Sequence, residues 1–239
     1  AEALRTAIAD QWNLDRNRLV CSSGSDEMIS LLARAYAGPK DEILFSEHGF
    51  LMYSIAALAA GAAPKKALES HLKLDVDAVL GAVTPQTRLV FVANPNNPTG
   101  TYLTRAELEW LHGELRDDVL LVVDADYAEY ADQNDYTSGV ELAATQSNVL
   151  MLRTFSKIYG LAALRLGWAY GPKSVIDVLH RVRGPFNVNQ AAQAEEAAPA
   201  CVACGVARPA TGDGSGYRGP AAIDLDQGDF CRGTTPDHT

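Results

Sequence analysis

Four short stretches of this 239-residue sequence combine residue types that could do chemistry. The sharpest is Arg153-Thr154-Phe155-Ser156-Lys157-Ile158-Tyr159-Gly160, with Arg165 eight positions after the lysine. Lysines favour a solvated helix face, so one in a Thr/Ser-rich turn directly after an apolar run is out of place. Its amine could serve covalent chemistry, tuned by nearby cationic charge or by a phosphate-binding arginine. An exposed lysine with no role is the plain alternative. Val122-Val123-Asp124-Ala125-Asp126-Tyr127 ends an apolar run on a carboxylate, with a phenol three positions on; there the aspartate either serves a site or caps the next segment. Asn94-Pro95-Asn96-Asn97-Pro98-Thr99-Gly100 spends seven residues on what a simple turn does with two or three. It offers amide donors and acceptors on a rigid loop. Ser22-Ser23-Gly24-Ser25-Asp26-Glu27 opens a helical stretch, where exposed N–H groups can seat a phosphate. The same residues are equally an ordinary helix cap.

These stretches need a frame to bring them together. Short apolar runs at 42–46, 88–93, 119–124, 149–152 and 166–170 are expected as buried strands. Stretches with helical spacing at 25–36, 51–60, 104–115 and 174–182 lie between them, and Thr104 with Glu107 fits a capping box. Strands buried on both faces and alternating with helices predict an α/β fold, a mainly parallel central sheet with helices on both faces. In such sheets ligands bind beyond the carboxyl ends of the strands, where all four stretches fall.

Composition narrows the classes. A formal net charge of -10 argues against nucleic acid or an anionic membrane as partner. No apolar run approaches the ~20 residues of a membrane span. Ala1-Glu2-Ala3-Leu4-Arg5 lacks the pattern of a signal peptide. Four cysteines, with Cys21 far from the others, suit a reducing compartment, so a cytoplasmic setting is expected. Three segments are expected: an N-terminal helical segment over 1–18, a ligand-binding large domain over 19–194, and an atypical tail over 195–239. Residues 196–239 hold 7 Gly and 4 Pro and only five of Leu, Ile, Val and Phe, too few for a core, so disorder is expected there. Cys201, Cys204, Cys231 and His238 are spaced too irregularly for a zinc site, and no metal is expected.

In order and spacing, the four stretches resemble the fold type I pyridoxal-phosphate (PLP) aminotransferases. Glu47-His48-Gly49-Phe50-Leu51-Met52-Tyr53 and Phe186-Asn187-Val188-Asn189 are similar to the histidinol-phosphate branch of that family. The resemblance runs from about residue 4 to 194. It implies pyridoxal 5'-phosphate as cofactor, with Lys157 as the catalytic lysine that holds the cofactor covalently and shuttles a proton. It implies Asp124 as partner of the pyridine nitrogen, Asn97 and Tyr127 on the phenolic oxygen, and Phe50 stacked on the ring. Ser25, Asp26, Thr154, Ser156 and Arg165 would hold the phosphate, and Asn187 would contact substrate. The implied reaction moves an amino group from L-histidinol phosphate to 2-oxoglutarate, in a homodimer of histidine biosynthesis.

The sequence departs from the family in two places. It is expected to start after the family's N-terminal segment, whose tyrosine reaches the partner subunit's cofactor phosphate. The tail stands where the family has a small domain with a carboxylate-binding arginine. Two further readings stay open: a relative acting on another substrate, such as an aromatic amino-acid aminotransferase or a threonine-phosphate decarboxylase, or a catalytically inactive member.

Overall fold

The computed structural model describes residues 2–193. The tail over 195–239, with its expected disorder and its cysteines, lies outside the described residues.

In chain order the elements are α1 (Glu2–Trp12), β1 (Leu19–Ser22), α2 (Gly24–Tyr36), β2 (Glu42–Ser46), α3 (Leu51–Ala59), β3 (Ala63–Ala67), β4 (Glu69–Ser70), β5 (Lys73–Leu74), α4 (Val76–Ala82), β6 (Thr87–Ala93), α5 (Arg105–Glu114), β7 (Leu120–Asp124), α6 (Val140–Thr145), β8 (Val149–Thr154), β9 (Gly167–Tyr170), α7 (Lys173–Val182) and α8 (Gln190–Gln193). Seven strands form one sheet in the order β1-β9-β8-β7-β6-β2-β3, and β4 and β5 make a separate two-stranded ribbon. Within the large sheet only β9 runs against its neighbours.

Apolar runs without polar alternation become strands buried on both sides. Val90 and Val92 of β6, Leu121 and Val123 of β7, and Val149 and Met151 of β8 join one core. Leu89 and Phe91, Leu120 and Val122, and Leu150 and Leu152 join the other. This is the period-2 pleat with apolar residues on both faces. The first core takes Leu4 and Ile8 of α1, Val76 and Val79 of α4, and Leu108 and Leu111 of α5. The second takes Met28, Ile29 and Leu32 of α2, Tyr53 and Ala56 of α3, and Ile176 and Leu179 of α7. Helices therefore cover both faces, as the alternating pattern predicts. The capping box forms as expected at α5: Thr104 Oγ1 accepts from the Glu107 N–H, and Glu107 accepts from the Thr104 N–H at 2.7 Å.

Register brings the functional stretches level. Ala93 pairs with Asp124, and Asp124 with Leu152. Thr154 and Ser22 both pair with Gly167. Gly167 lies against the start of α2, where an added Cβ would stand 2.6 Å from Gly24 C and 2.7 Å from Ser25 N. Those are backbone atoms and cannot swing aside. Gly167→Ala is therefore expected to cost about 1–3 kcal/mol by overpacking, read as a lower urea midpoint with unchanged slope. A midpoint equal to wild type would show that this approach has slack.

Candidate functional site

Strands β1, β2, β6, β7 and β8 deliver their pieces at the same end of the sheet. Ser25 and Asp26 open α2 just after β1, Phe50 precedes α3, Asn97 follows β6, and Asp124 ends β7 with Tyr127 beyond it. Thr154 ends β8, followed by Ser156 and Lys157, and Arg165 precedes β9. All ten of these residues line one cleft, together with Tyr53, Ala93, Pro95 and Asp126.

The cationic end is built by close approach. Gly24 has a left-handed φ of +78°, and a Cβ there would sit 2.3 Å from Arg165 Nη2, so glycine admits the guanidinium against the first turn of α2. Arg165 itself is held at φ 51°, unusual for a non-glycine residue. Its Nη2 donates to Asp26 Oδ2 at 3.0 Å and its Nη1 to Ser156 Oγ at 3.3 Å, and Thr154 Oγ1 donates to Ser156 Oγ at 3.0 Å. A guanidinium, two hydroxyls and a helix N-terminus together suit a phosphate group.

The acidic end is deep. Asp124 is 4% exposed, its Oδ2 accepting from the Tyr53 hydroxyl at 2.7 Å and its Oδ1 from the Asp126 N–H at 3.3 Å. Burial raises its carboxyl pKa above the ordinary value, while these two bonds and the positive charge of Lys157 favour the anion. Tyr53 is fully buried, stacked on Phe91 at 4.7 Å, and its phenol is pushed well above its usual value by burial and then by the Asp124 charge. It therefore stays a donor. A desolvated carboxylate facing a cleft asks for a cationic or protonated partner from a ligand.

Lys157 lines the same cleft, its Nζ 5.0 Å from the Tyr127 ring centroid. It makes no ion pair among the described residues. Its turn is braced from below. Phe155 is buried against Trp12 and Tyr159, and its N–H donates to Leu166 O at 3.0 Å. Glu129, just past Tyr127, ion-pairs with Arg153 and accepts from the Tyr159 hydroxyl, tying the lysine turn to the tyrosine turn. The Asn94–Gly100 loop is braced likewise. Asn94 is fully buried, donating to Leu103 O and Thr137 O and accepting from Leu103 N–H. Asn96 Nδ2 donates to Thr99 Oγ1 at 2.8 Å, and Gly100 turns the chain at φ +71°. The loop spends its residues on holding itself, leaving Asn97 to face the cleft.

Asn187 is not brought in with the others. Its Nδ2 donates to Cys21 O at 3.1 Å and Glu27 Oε2 at 2.9 Å, so the amide is engaged behind α2. Two cleft residues escape the sequence reading. Tyr53 carries the signal of a phenol in a mostly apolar helix, and Asp126 that of a second carboxylate two positions after the first. No group of three or more His, Cys, Asp or Glu placed to hold a metal occurs among the described residues.

Residues 1–203 match the family model described as aminotransferase class I and II. The chain is 56% identical over 194 residues to the histidinol-phosphate aminotransferase of Paramagnetospirillum magneticum, covering 81% of this chain and 53% of that protein. Against the enzyme of the same name from Rhodospirillum centenum the identity is 58% over 191 residues, 80% of this chain and 53% of that one. The chain thus spans about half the length of the curated relatives it matches. The fold is similar to that of histidinol-phosphate aminotransferase from Sinorhizobium meliloti, solved in complex with pyridoxal-5'-phosphate. That match has a TM-score of 0.78 at 23% identity, covering 86% of this chain and 55% of that one.

Proposed function

The chain belongs to the class I and II aminotransferase family, and from that premise we propose that it carries the PLP site of an aminotransferase. The proposed reaction passes the amino group of L-histidinol phosphate to 2-oxoglutarate. It leaves imidazole acetol phosphate and glutamate. The observation that carries the reading is the convergence of ten residues from six separate stretches on one cleft, Lys157 among them with a buried carboxylate and a guanidinium.

The residues fit that cofactor: a buried carboxylate without a cationic neighbour in contact, and a guanidinium that Gly24 admits against the first turn of α2. When bound, PLP supplies an electron sink for the carbanion at the amino donor's α-carbon. Asp124 would pair with the ring nitrogen, Asn97 and Tyr127 would hydrogen-bond the phenolic oxygen, and Phe50 would cover the ring. Arg165, Ser156, Thr154, Ser25 and Asp26 would hold the phosphate. Lys157 would hold the cofactor through its amine and carry a proton at Nζ.

Its proposed setting is the cytoplasm, from the cysteine usage. The homodimer finds support in the stripe of exposed Leu51, Ile55 and Leu58 along α3, at i, i+4, i+7 spacing.

Reduction of the PLP-treated protein with borohydride, followed by peptide mass spectrometry, tests the site. Label on Lys157 alone is expected, whereas label scattered over the lysines would sink the assignment. Spectral conversion of PLP bound to the unreduced protein by histidinol phosphate, ahead of aromatic amino acids as donors, tests the substrate.

A further inference from the structure

Asp126 is a second carboxylate in the cleft, and the roles proposed above leave it unused. It is 8% exposed and follows β7 two residues after Asp124. Its Oδ2 accepts from Ser25 Oγ at 2.5 Å, while Oδ1 is buried with no hydrogen-bond partner. A carboxylate oxygen hidden from water and given no donor is costly as an anion. As a neutral acid the same group is satisfied differently: Oδ2 keeps the Ser25 bond, and Oδ1 carries a hydrogen that needs an acceptor in the cleft.

We propose, resting on the cofactor reading above, that Asp126 is a protonation gate on this site: neutral, its Oδ1 donates a hydrogen bond to a phosphate-bearing ligand; ionised, it repels that ligand. The charges around it favour this. Asp124 beside it on the same strand end and Asp26 on α2 are acidic, while Lys157 after β8 and Arg165 before β9 are basic, Arg165 being already engaged by Asp26. Tyr53 from α3 is held as a donor to Asp124 and gives Asp126 nothing. A phosphate group brings about 1.5–2 negative charges, so a third carboxylate charge within the cleft opposes it directly. Burial, then the Asp124 charge, pushes the Asp126 carboxyl well above the ordinary carboxylate range. The gate therefore closes as pH rises through that raised value, and stands open below it. If Asp126 merely anchored Ser25 at the start of α2, its charge would leave ligand affinity without a pH signature of its own.

The test measures binding and not turnover. Pyridoxamine 5'-phosphate makes no carbonyl bond with Lys157, and its Kd for the cofactor-free protein is measured by calorimetry across roughly pH 5 to 9. Wild type is compared with Asp126→Asn, which keeps a donor but cannot ionise. The ratio of wild-type to variant Kd cancels the titration of the phosphate and of Lys157. It is expected to climb with pH, approaching about tenfold per unit above the Asp126 pKa. Asp126→Ala, which loses charge and donor together, is expected to lack the same pH-dependent loss while binding more weakly than Asp126→Asn. It also serves if the asparagine variant fails to fold. A ratio flat with pH, with good binding throughout, overturns the gate alone. Absence of binding by all three proteins at every pH would remove the cofactor reading and the gate with it.

Discussion

Lys157→Ala is expected to abolish borohydride-fixed cofactor labelling and to lower any amino-transfer rate by about 10²–10⁴-fold, the span of a lost general acid–base group. No other lysine lines the cleft. The remaining lysines whose side chains form ion pairs, Lys65, Lys73 and Lys173, do so elsewhere, with Glu42, Glu107 and Asp177. No neighbouring amine stands ready to take over. The fold should survive the change, since Lys157 is half-buried and forms no ion pair among the described residues; the stability lost is the attraction of its charge for Asp124 and Asp126. Lys157→Arg separates the two roles of the side chain: it keeps a positive charge near Asp124 and Asp126 but offers no amine for the carbonyl bond. It should retain noncovalent cofactor binding without label. A labelled Lys157→Ala protein would show that the reactive amine lies elsewhere; a labile fold in either variant would show that the turn is structural.

Much of this site was legible in the sequence, because each piece sits where a strand ends and the chain must turn. A buried parallel strand needs an unbroken apolar run, so its end is marked where polar residues begin, at Asp124 in β7 and at Arg153-Thr154 in β8. The alternation of such runs with helices fixes which end of the sheet they share. What the sequence hid is what depends on contact across the fold. Tyr53 reaches Asp124 over 71 positions and Ser25 reaches Asp126 over 101, and no local pattern encodes either distance. β3 was also hidden: Ala63-Pro64-Lys65-Lys66-Ala67 has no apolar run, because an edge strand pairs on one side only and leaves its lysines in water. The Asn187 amide likewise meets Glu27 of α2 and Cys21 of β1, 160 and 166 positions away, which no local pattern encodes.

Asp124→Asn should move stability and ligand affinity in opposite directions. In the cofactor-free protein Asp124 is a desolvated carboxyl beside a second one, and burial raises the pKa of both. A raised pKa means that the folded state binds protons more tightly than the unfolded chain, so stability is full at low pH and declines as pH rises through the folded value. The amide removes one of the two charges and relieves the other. Asp124→Asn is thus expected to match or exceed the wild-type melting temperature without cofactor, with the margin widest at the alkaline side. Cofactor binding reverses the sign. A protonated ring nitrogen facing an amide has lost its anionic partner in a site closed to water, where breaking a charged pair costs about 3–5 kcal/mol, or about 10²–10³-fold or more in affinity. The Tyr53 hydroxyl cannot compensate, being a neutral donor on the same oxygen. Thermal unfolding at several pH values, with and without PLP, measures both halves. A variant less stable than wild type without cofactor would mean that the Tyr53–Asp124 bond outweighs the burial of the charge. One that kept wild-type PLP affinity would mean that Asp124 does not meet the ring nitrogen at all.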